Sequence, residues 1–411
     1  MKKYILAGTG SRGVNMFAKP ILQQFSKTAV LAGMFDSSIG RLNGAKKVLG
    51  TEIPCYTNYD KMLKELDFDT AIICTIDSTH EDYILKSMQA GKNVITEKPL
   101  CINAKQCKTI LKASKKSKRK IIITHNVRYS PAMIEIKKIV DKGIIGRVLT
   151  VEFNENLNRQ HGSDYFRRWH RHKKNSGGLL VHKACHCFDI INWIVGSKPE
   201  KVTAEGGLVV YGKNGKFRSE RCLGCKTSSK CDFFVDLFSN SAMRALYLEA
   251  EKEKNAYIRD GCVYDESIDI EDVANVAYTY ENGVRVNFSL STFASYEGYD
   301  MIVEGTKGRM VYSTIYETDC YSGKTRIPGA EKKAGEKLQL FLLNQSVTDI
   351  KIPKVDGSHG GADILLLQDL FGNKENSDLA TIEEAIDAVL IGDAANKSLK
   401  TGKTVSIKEI Y

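Results

Sequence analysis

A glycine-rich turn placed directly after a short apolar run does most to narrow what this chain can fold into. Gly8-Thr9-Gly10-Ser11-Arg12-Gly13 follows the run Tyr4 to Ala7 and opens a stretch of helical pattern. In a strand, turn and helix unit, the first glycine permits the tight turn and the second lets the backbone approach a pyrophosphate. The third lets helix pack on strand, and the amides at the helix start donate to the phosphates. Asp36 ends the next apolar run, Ala29 to Phe35, at the place where a carboxylate accepts hydrogen bonds from ribose hydroxyls. It would repel a 2′-phosphate, so NAD is favoured over NADP, with Arg41 a further candidate contact on the same side.

The first 125 residues continue that rhythm. Thr70 to Ile76, Asn93 to Thr96 and Lys120 to Thr124 read as further buried strands with helical patterns between them, which predicts right-handed crossovers and a doubly wound parallel sheet. Beyond about residue 147 the runs lengthen and alternate: RVLTVEFNEN, KVTAEGGLVV, VANVAYTY and VRVNFSLSTF, with Glu281-Asn282-Gly283 as a hairpin turn between the last two. This half is expected to form a large, mostly antiparallel open sheet, and Gly360 to Lys400 returns to helical spacing. The division expected is a dinucleotide-binding domain over 1–125 and an α+β domain over 126–411, with a cysteine-rich insertion near 215–265.

Composition removes other classes. Of 411 residues, 42% are hydrophobic and 27% charged, so most of the length should fold. Lysine and arginine number 60 against 49 acidic residues, but the densest basic stretch, residues 113–120, has no interleaved aromatics to stack bases, and no nucleic-acid partner is expected. No apolar run approaches the ~20 residues that cross a bilayer, and the start MKKYILAGTGSRG turns glycine-rich too early for a signal peptide, so a cytoplasmic protein without a membrane partner is expected.

Further motifs carry a family resemblance. Thr75-Ile76-Asp77-Ser78-Thr79-His80 follows a central strand and resembles the T-P-N-x-x-H loop of the glucose-fructose oxidoreductase, inositol dehydrogenase and rhizopine catabolism family (Gfo/Idh/MocA), with Ile76 and Asp77 in place of its proline and asparagine. Glu97-Lys98-Pro99 matches the family's E-K-P motif. Gly177-Gly178 through His186 to Asp189 is similar to its G-G-x-L-x-D-x-G-x-H-x-x-D motif, with His182 and Ala184 where aspartate and glycine are usual. Asn126, Arg128 and Tyr129 resemble its N-x-R-F/Y segment. The resemblance implies a Rossmann domain followed by an α/β domain, substrate between them, and a homo-oligomer, dimer or tetramer. It also implies cofactor contacts from Thr75, Ile76, Asp77, His80, Glu97, Lys98 and Asn126.

Chemistry assigns roles to the same residues. A lysine at the carboxyl end of a parallel strand points toward the crevice, where Lys98 would hold a substrate hydroxyl and stabilise developing alkoxide charge. His186 follows His182 by four residues, which puts both imidazoles on one helix face, and either could accept the hydroxyl proton. The family position favours His186. The stretch HGSDYFRRWHRHKK, residues 161–174, offers Arg168, Trp169 and His170, whose aromatic faces and donors suit a polyhydroxylated ring. Arg128, Tyr129, Lys183 and His359 complete the candidate substrate contacts.

Eleven cysteines in a chain without a recognisable export signal should be reduced thiols or metal ligands. Cys222, Cys225, Cys231 and Cys262 have the count for a tetrahedral zinc site, which would order an insertion poor in apolar residues. An iron-sulfur cluster and ordinary packed thiols remain open beside it. Three functions fit: an NAD-dependent oxidoreductase acting on a sugar, cyclitol or sugar-derivative carbinol; an NAD-retaining enzyme cleaving glycosides by transient oxidation and elimination; and a non-catalytic dinucleotide or sugar sensor.

Overall fold

A computed structural model describes residues 1–252, 257–318, 321–322, 325–326, 335–372 and 379–411. It divides into two compact units. The first comprises Met1–Asn126, Asp236–Arg259 and Asp363–Ile386, and the second Val127–Val235, Asp260–Ala362 and Asp387–Tyr411.

The first unit is built on six parallel strands: β1 (Lys2–Ala7), β2 (Ala29–Phe35), β3 (Cys55–Tyr56), β4 (Thr70–Ile73), β5 (Asn93–Thr96) and β6 (Ile121–Ile123). Their order is β3-β2-β1-β4-β5-β6. β1 is central because Tyr4 to Ala7 are apolar on both faces and fully buried, as a strand covered by helices on both sides requires. The chain leaves β1 for β2 on one side and pairs β1 with β4 on the other, so the crevice outside the β1 carboxyl end is the switch point where such sheets bind ligands. Ser38, Asn58 and Asn103 cap the starts of the crossover helices by accepting from Arg41 N, Lys61 N and Gln106 N. The late segment Asp363–Ile386 joins this unit through Phe371, whose ring meets that of Tyr4 edge-on at 5.0 Å, and through Ala380, which bridges to Ile123.

The second unit holds a nine-stranded mixed sheet. β7 (Val148–Asn158) lies between β10 (Arg285–Ala294), its parallel neighbour, and β11 (Tyr296–Gly305), its antiparallel one. β9 (Val273–Tyr280) and β8 (Pro199–Gly207) extend the sheet beyond β10, with Val405–Ser406 at that edge. β12 (Gly308–Thr318), Gly335–Leu342 and Thr348–Ile350 extend it beyond β11. Along β9 and β10 buried and exposed residues alternate, and Gly283, at φ +85°, closes the hairpin between them. The helix Cys185–Val195 lies on the buried face, where the Phe188 ring meets Phe288 at 4.9 Å and Tyr278 at 5.8 Å.

The expected doubly wound parallel sheet and mostly antiparallel second sheet are both present. Two local readings change. β4 ends at Ile73, because the chain bends into a helical turn at Asp77–Thr79, and the two-residue β3 was too short to show a period.

Candidate functional site

In the first unit the glycines of the turn are dictated by contact. A Cβ on Gly8, at φ +95°, would stand 2.3 Å from Cys74 O, and one on Gly13 would stand 2.1 Å from Gly8 O. Gly10 faces open space apart from the Tyr247 hydroxyl, 3.3 Å from a Cβ built there. Asp36 is buried at the end of β2, where Oδ2 accepts from Thr9 N at 2.9 Å and Thr9 Oγ1 at 3.1 Å. Its Oδ1 accepts from Ser38 N at 3.1 Å and Arg41 Nη1 at 3.2 Å. The carboxylate is therefore fixed in place, with Arg41 as its counter-cation.

Behind the loop, Arg12 Nε donates to Glu97 at 2.9 Å, and its Nη1 lies 3.5 Å from Asp363 Oδ2. Asn126 Nδ2 donates to the other Asp363 oxygen at 2.5 Å. Burial works against the Arg12 cation, but Glu97 and Asp363 outweigh it and raise its pKa. His80 is buried between two carbonyls, with Nδ1 2.9 Å from Pro99 O and Nε2 3.3 Å from Thr75 O, so it ties the loop after β4 to the loop after β5. Burial pushes its pKa below the usual histidine range. Lys98, half-buried, directly precedes Pro99 in that second loop.

These residues fit a dinucleotide. Of the three loop glycines, Gly10 alone meets no backbone atom beyond its neighbours, an acid closes β2, and the buried Asn126 Oδ1 has no hydrogen-bond donor among the described residues, so an acceptor is left for an amide.

In the second unit the chain does not run as one helix through the two histidines. A short helix, Leu179–His182, ends at His182, and the next starts at Cys185. The shared helix face expected for His182 and His186 is therefore replaced by two helical segments, with Lys183 and Ala184 at the joint. His182 belongs to an aromatic cluster with the 161–174 stretch. Its ring lies 4.2 Å from His170 and 5.6 Å from both Trp169 and Tyr165, and Trp169 stacks on His170 at 3.6 Å. Burial pushes the Tyr165 hydroxyl up to about 12, so it stays protonated at neutral pH. Arg168 pairs with Asp164 at 3.1 Å. Lys183 and Glu155, both buried, pair at 2.9 Å. Burial works to lower the lysine, but Glu155 outweighs it and raises the lysine well above its usual range. Arg128 grips Asp189 with two bonds of 2.7 Å, both side chains buried, and Tyr129 is buried beside it in sequence. The side chain of His359 lies outside the described residues.

Cys222, Cys225, Cys231 and Cys262 are the cysteines whose count suits a zinc site. Among the described residues no group of three histidine, cysteine, aspartate or glutamate side chains could hold a metal ion. The segments around Cys222 and Cys262 do pair, through Cys222 N to Asp260 O and Cys262 N to Glu220 O, both near 3 Å. Cys222 Sγ instead accepts from Arg167 Nη1 at 3.2 Å, and Cys225 Sγ lies 3.3 Å from Thr227 Oγ1. Arg221 pairs with the buried Asp260, which also accepts from Leu223 N at 2.8 Å. Charged pairs and backbone bonds thus tie the two parts of this segment together.

Three contributors escaped the sequence: Tyr247, whose hydroxyl accepts from Ser11 N at 2.8 Å; Asp363, which ties Arg12 to Asn126; and Glu155, the partner of Lys183. Each pairs across a long sequence separation, and no local pattern marks such a pairing.

Residues 2–125 match the model of the oxidoreductase family NAD-binding Rossmann fold, and residues 137–407 match that family's C-terminal alpha/beta domain. The chain belongs to this Gfo/Idh/MocA oxidoreductase family. YteT of Bacillus subtilis (strain 168) is 33% identical over the whole of this chain and 99% of its own length. The inositol 2-dehydrogenase of Rhizobium meliloti (strain 1021) is 31% identical over 144 residues, covering 35% of this chain and 42% of that enzyme. The solved aldose-aldose oxidoreductase from Caulobacter crescentus shares the fold at TM-score 0.65 and 17% identity, covering 98% of this chain and 99% of that one. An oxidoreductase from Agrobacterium radiobacter solved with NAD+, L-tartaric acid and magnesium does so at TM-score 0.66 and 16% identity, covering 100% and 99%. Among the described residues, no helix is long and apolar enough to cross a membrane.

Proposed function

We propose that the protein is an NAD-dependent dehydrogenase acting on a ring carbinol of a sugar, cyclitol or sugar derivative, and that it works as a homo-oligomer. The observation that carries the reading is the fixed constellation of the Gly8–Gly13 loop and buried Asp36 at the switch point of the parallel sheet. NAD, when bound, supplies the hydride acceptor. The loop amides would bind phosphate, Asp36 would face the adenosine ribose, and Asn126 Oδ1 would accept from the carboxamide. Lys98 Nζ holds the substrate hydroxyl and stabilises charge developing on its oxygen. His186 accepts the hydroxyl proton. The Trp169, His170 and His182 cluster supplies apolar faces and polar edges suited to a polyhydroxylated ring. The names of the inositol dehydrogenase and aldose-aldose oxidoreductase relatives support that substrate class.

Two measurements test the reading. NAD should bind at least tenfold tighter than NADP, about 1.4 kcal/mol, and Asp36→Ala should narrow the gap. Equal affinities in the parent would overturn the cofactor assignment. In single turnover with saturating NAD, His186→Ala should slow reduced-dinucleotide formation about 10² to 10⁴-fold with NAD affinity retained, and Lys98→Ala should weaken both substrate binding and turnover. A loss confined to His182→Ala would move the proton acceptor to His182.

A further inference from the structure

The first unit includes a piece of chain that the parallel-sheet pattern does not call for. Residues 236–252 leave the second unit's sequence, and Arg244–Lys252 pack against the helix Ile39–Leu49, which starts beside Asp36. The packing is backbone to backbone: a Cβ on Gly44 would stand 2.2 Å from Ala245 O. The segment thereby delivers Tyr247, a buried residue, to the glycine loop. Its hydroxyl accepts from Ser11 N at 2.8 Å and lies 3.3 Å from the Cβ position on Gly10, the one described heavy atom within 4 Å of it outside the adjoining chain. Ser11 N is among the amides at the start of the helix that follows the glycine loop, and the side of Gly10 that lacks a Cβ is the side from which a pyrophosphate is approached. A phenol that accepts from the loop amide keeps its own proton to donate. The ring is held by cations: Arg41 lies 5.8 Å from its centroid and 5.7 Å from that of Tyr257, and Arg259 lies 5.9 Å from the Tyr247 ring. The cation of Arg41 in turn pairs with Asp36.

We infer that Tyr247 is a dinucleotide-binding residue, its hydroxyl relaying the Ser11 amide to a pyrophosphate oxygen, and that residues 236–252 form a clasp over the phosphate loop. The inference rests on the dinucleotide reading of that loop. It goes further in assigning a ligand from outside the strand-turn-helix unit and in making cofactor exchange depend on the clasp. A hydroxyl that merely occupied the phosphate position would have the opposite effect, since its removal would tighten binding.

The test is the rate of NADH release from the full-length protein, followed by nucleotide fluorescence after mixing with excess unlabelled NAD, together with the equilibrium affinity for NADH. Tyr247→Phe keeps the ring and removes only the donor. It should release NADH about tenfold faster and bind it correspondingly less tightly, as loss of one hydrogen bond to a charged oxygen predicts. Gly44→Ala, which touches no candidate ligand but forces the clasp off the helix, should speed release in the same direction. Unchanged release in both variants, or slower release and tighter binding in Tyr247→Phe, overturns the inference while leaving the dinucleotide reading intact. Failure of the parent to bind NADH overturns both.

Discussion

Arg128→Ala should cost more stability than any substitution on the surface of the second unit. Arg128 and Asp189 are 2% and 1% exposed and joined by two parallel bonds of 2.7 Å, a fork geometry that only arginine supplies. The guanidinium also lies 5.5 Å from the Trp193 ring centroid, one turn further along the helix that carries Asp189. Truncation leaves a buried carboxylate without its counter-charge, a loss of roughly 3–5 kcal/mol. For a unit of this size each kcal/mol moves the melting point by about 2–4 °C, so the transition should fall by about 6–20 °C. Arg128→Lys keeps charge but not the fork and should fall between. The double variant Arg128→Met/Asp189→Leu removes both charges and should recover most of the loss. Differential scanning calorimetry of the four proteins ranks these outcomes. A single variant Arg128→Ala that melts within 1 °C of the parent, or a double variant no better than the single, would refute the idea that this pair is held by mutual neutralisation.

Other outcomes follow from the same geometry. Gly13→Ala places a methyl 2.1 Å from Gly8 O, so it should abolish NAD binding by titration calorimetry and lower the melting point, and retained binding would contradict the loop reading. Lys183→Met leaves Glu155 buried beside Cys187, which already donates to it at 3.3 Å, and should destabilise by about 3–5 kcal/mol in urea titration. His80, lowered in the fold by burial, contributes stability that is complete above the unfolded pKa near 6.5 and is lost as pH falls from there through its folded value. Melting points between pH 7.5 and 5 should therefore fall less steeply in His80→Gln than in the parent, and equal slopes would remove His80 as the cause.

What could be read in the sequence was local or periodic. The glycine loop, the acid ending β2 and the hairpin at Gly283 each rest on turn chemistry within a few residues, and the two sheets declared themselves by unbroken or alternating apolar runs. The break between His182 and Cys185 was not legible, because both sides have helical composition and the joint is set by tertiary bonds such as Lys183 to Glu155. Tyr247 and Asp363 reach the phosphate loop from 236 and more than 300 positions away, and such contacts leave no period to find. In the cysteine segment, thiol spacing gave no sign of Arg167, which donates to Cys222 Sγ, or of the Arg221–Asp260 pair, because both are contacts between residues far apart in sequence.

The central claim is that hydride passes from a ring carbinol to a dinucleotide held at the Gly8–Gly13 loop. It is tested most directly by incubating the protein with NAD and a set of cyclitols and aldoses deuterated at their ring carbinol carbons, then measuring the mass of the nicotinamide recovered. The account predicts reduced dinucleotide carrying one deuterium at the nicotinamide ring with at least one member of the set, and none with Gly13→Ala. Reduced dinucleotide without deuterium, or no reduction across the set by a protein that binds NAD, would contradict it.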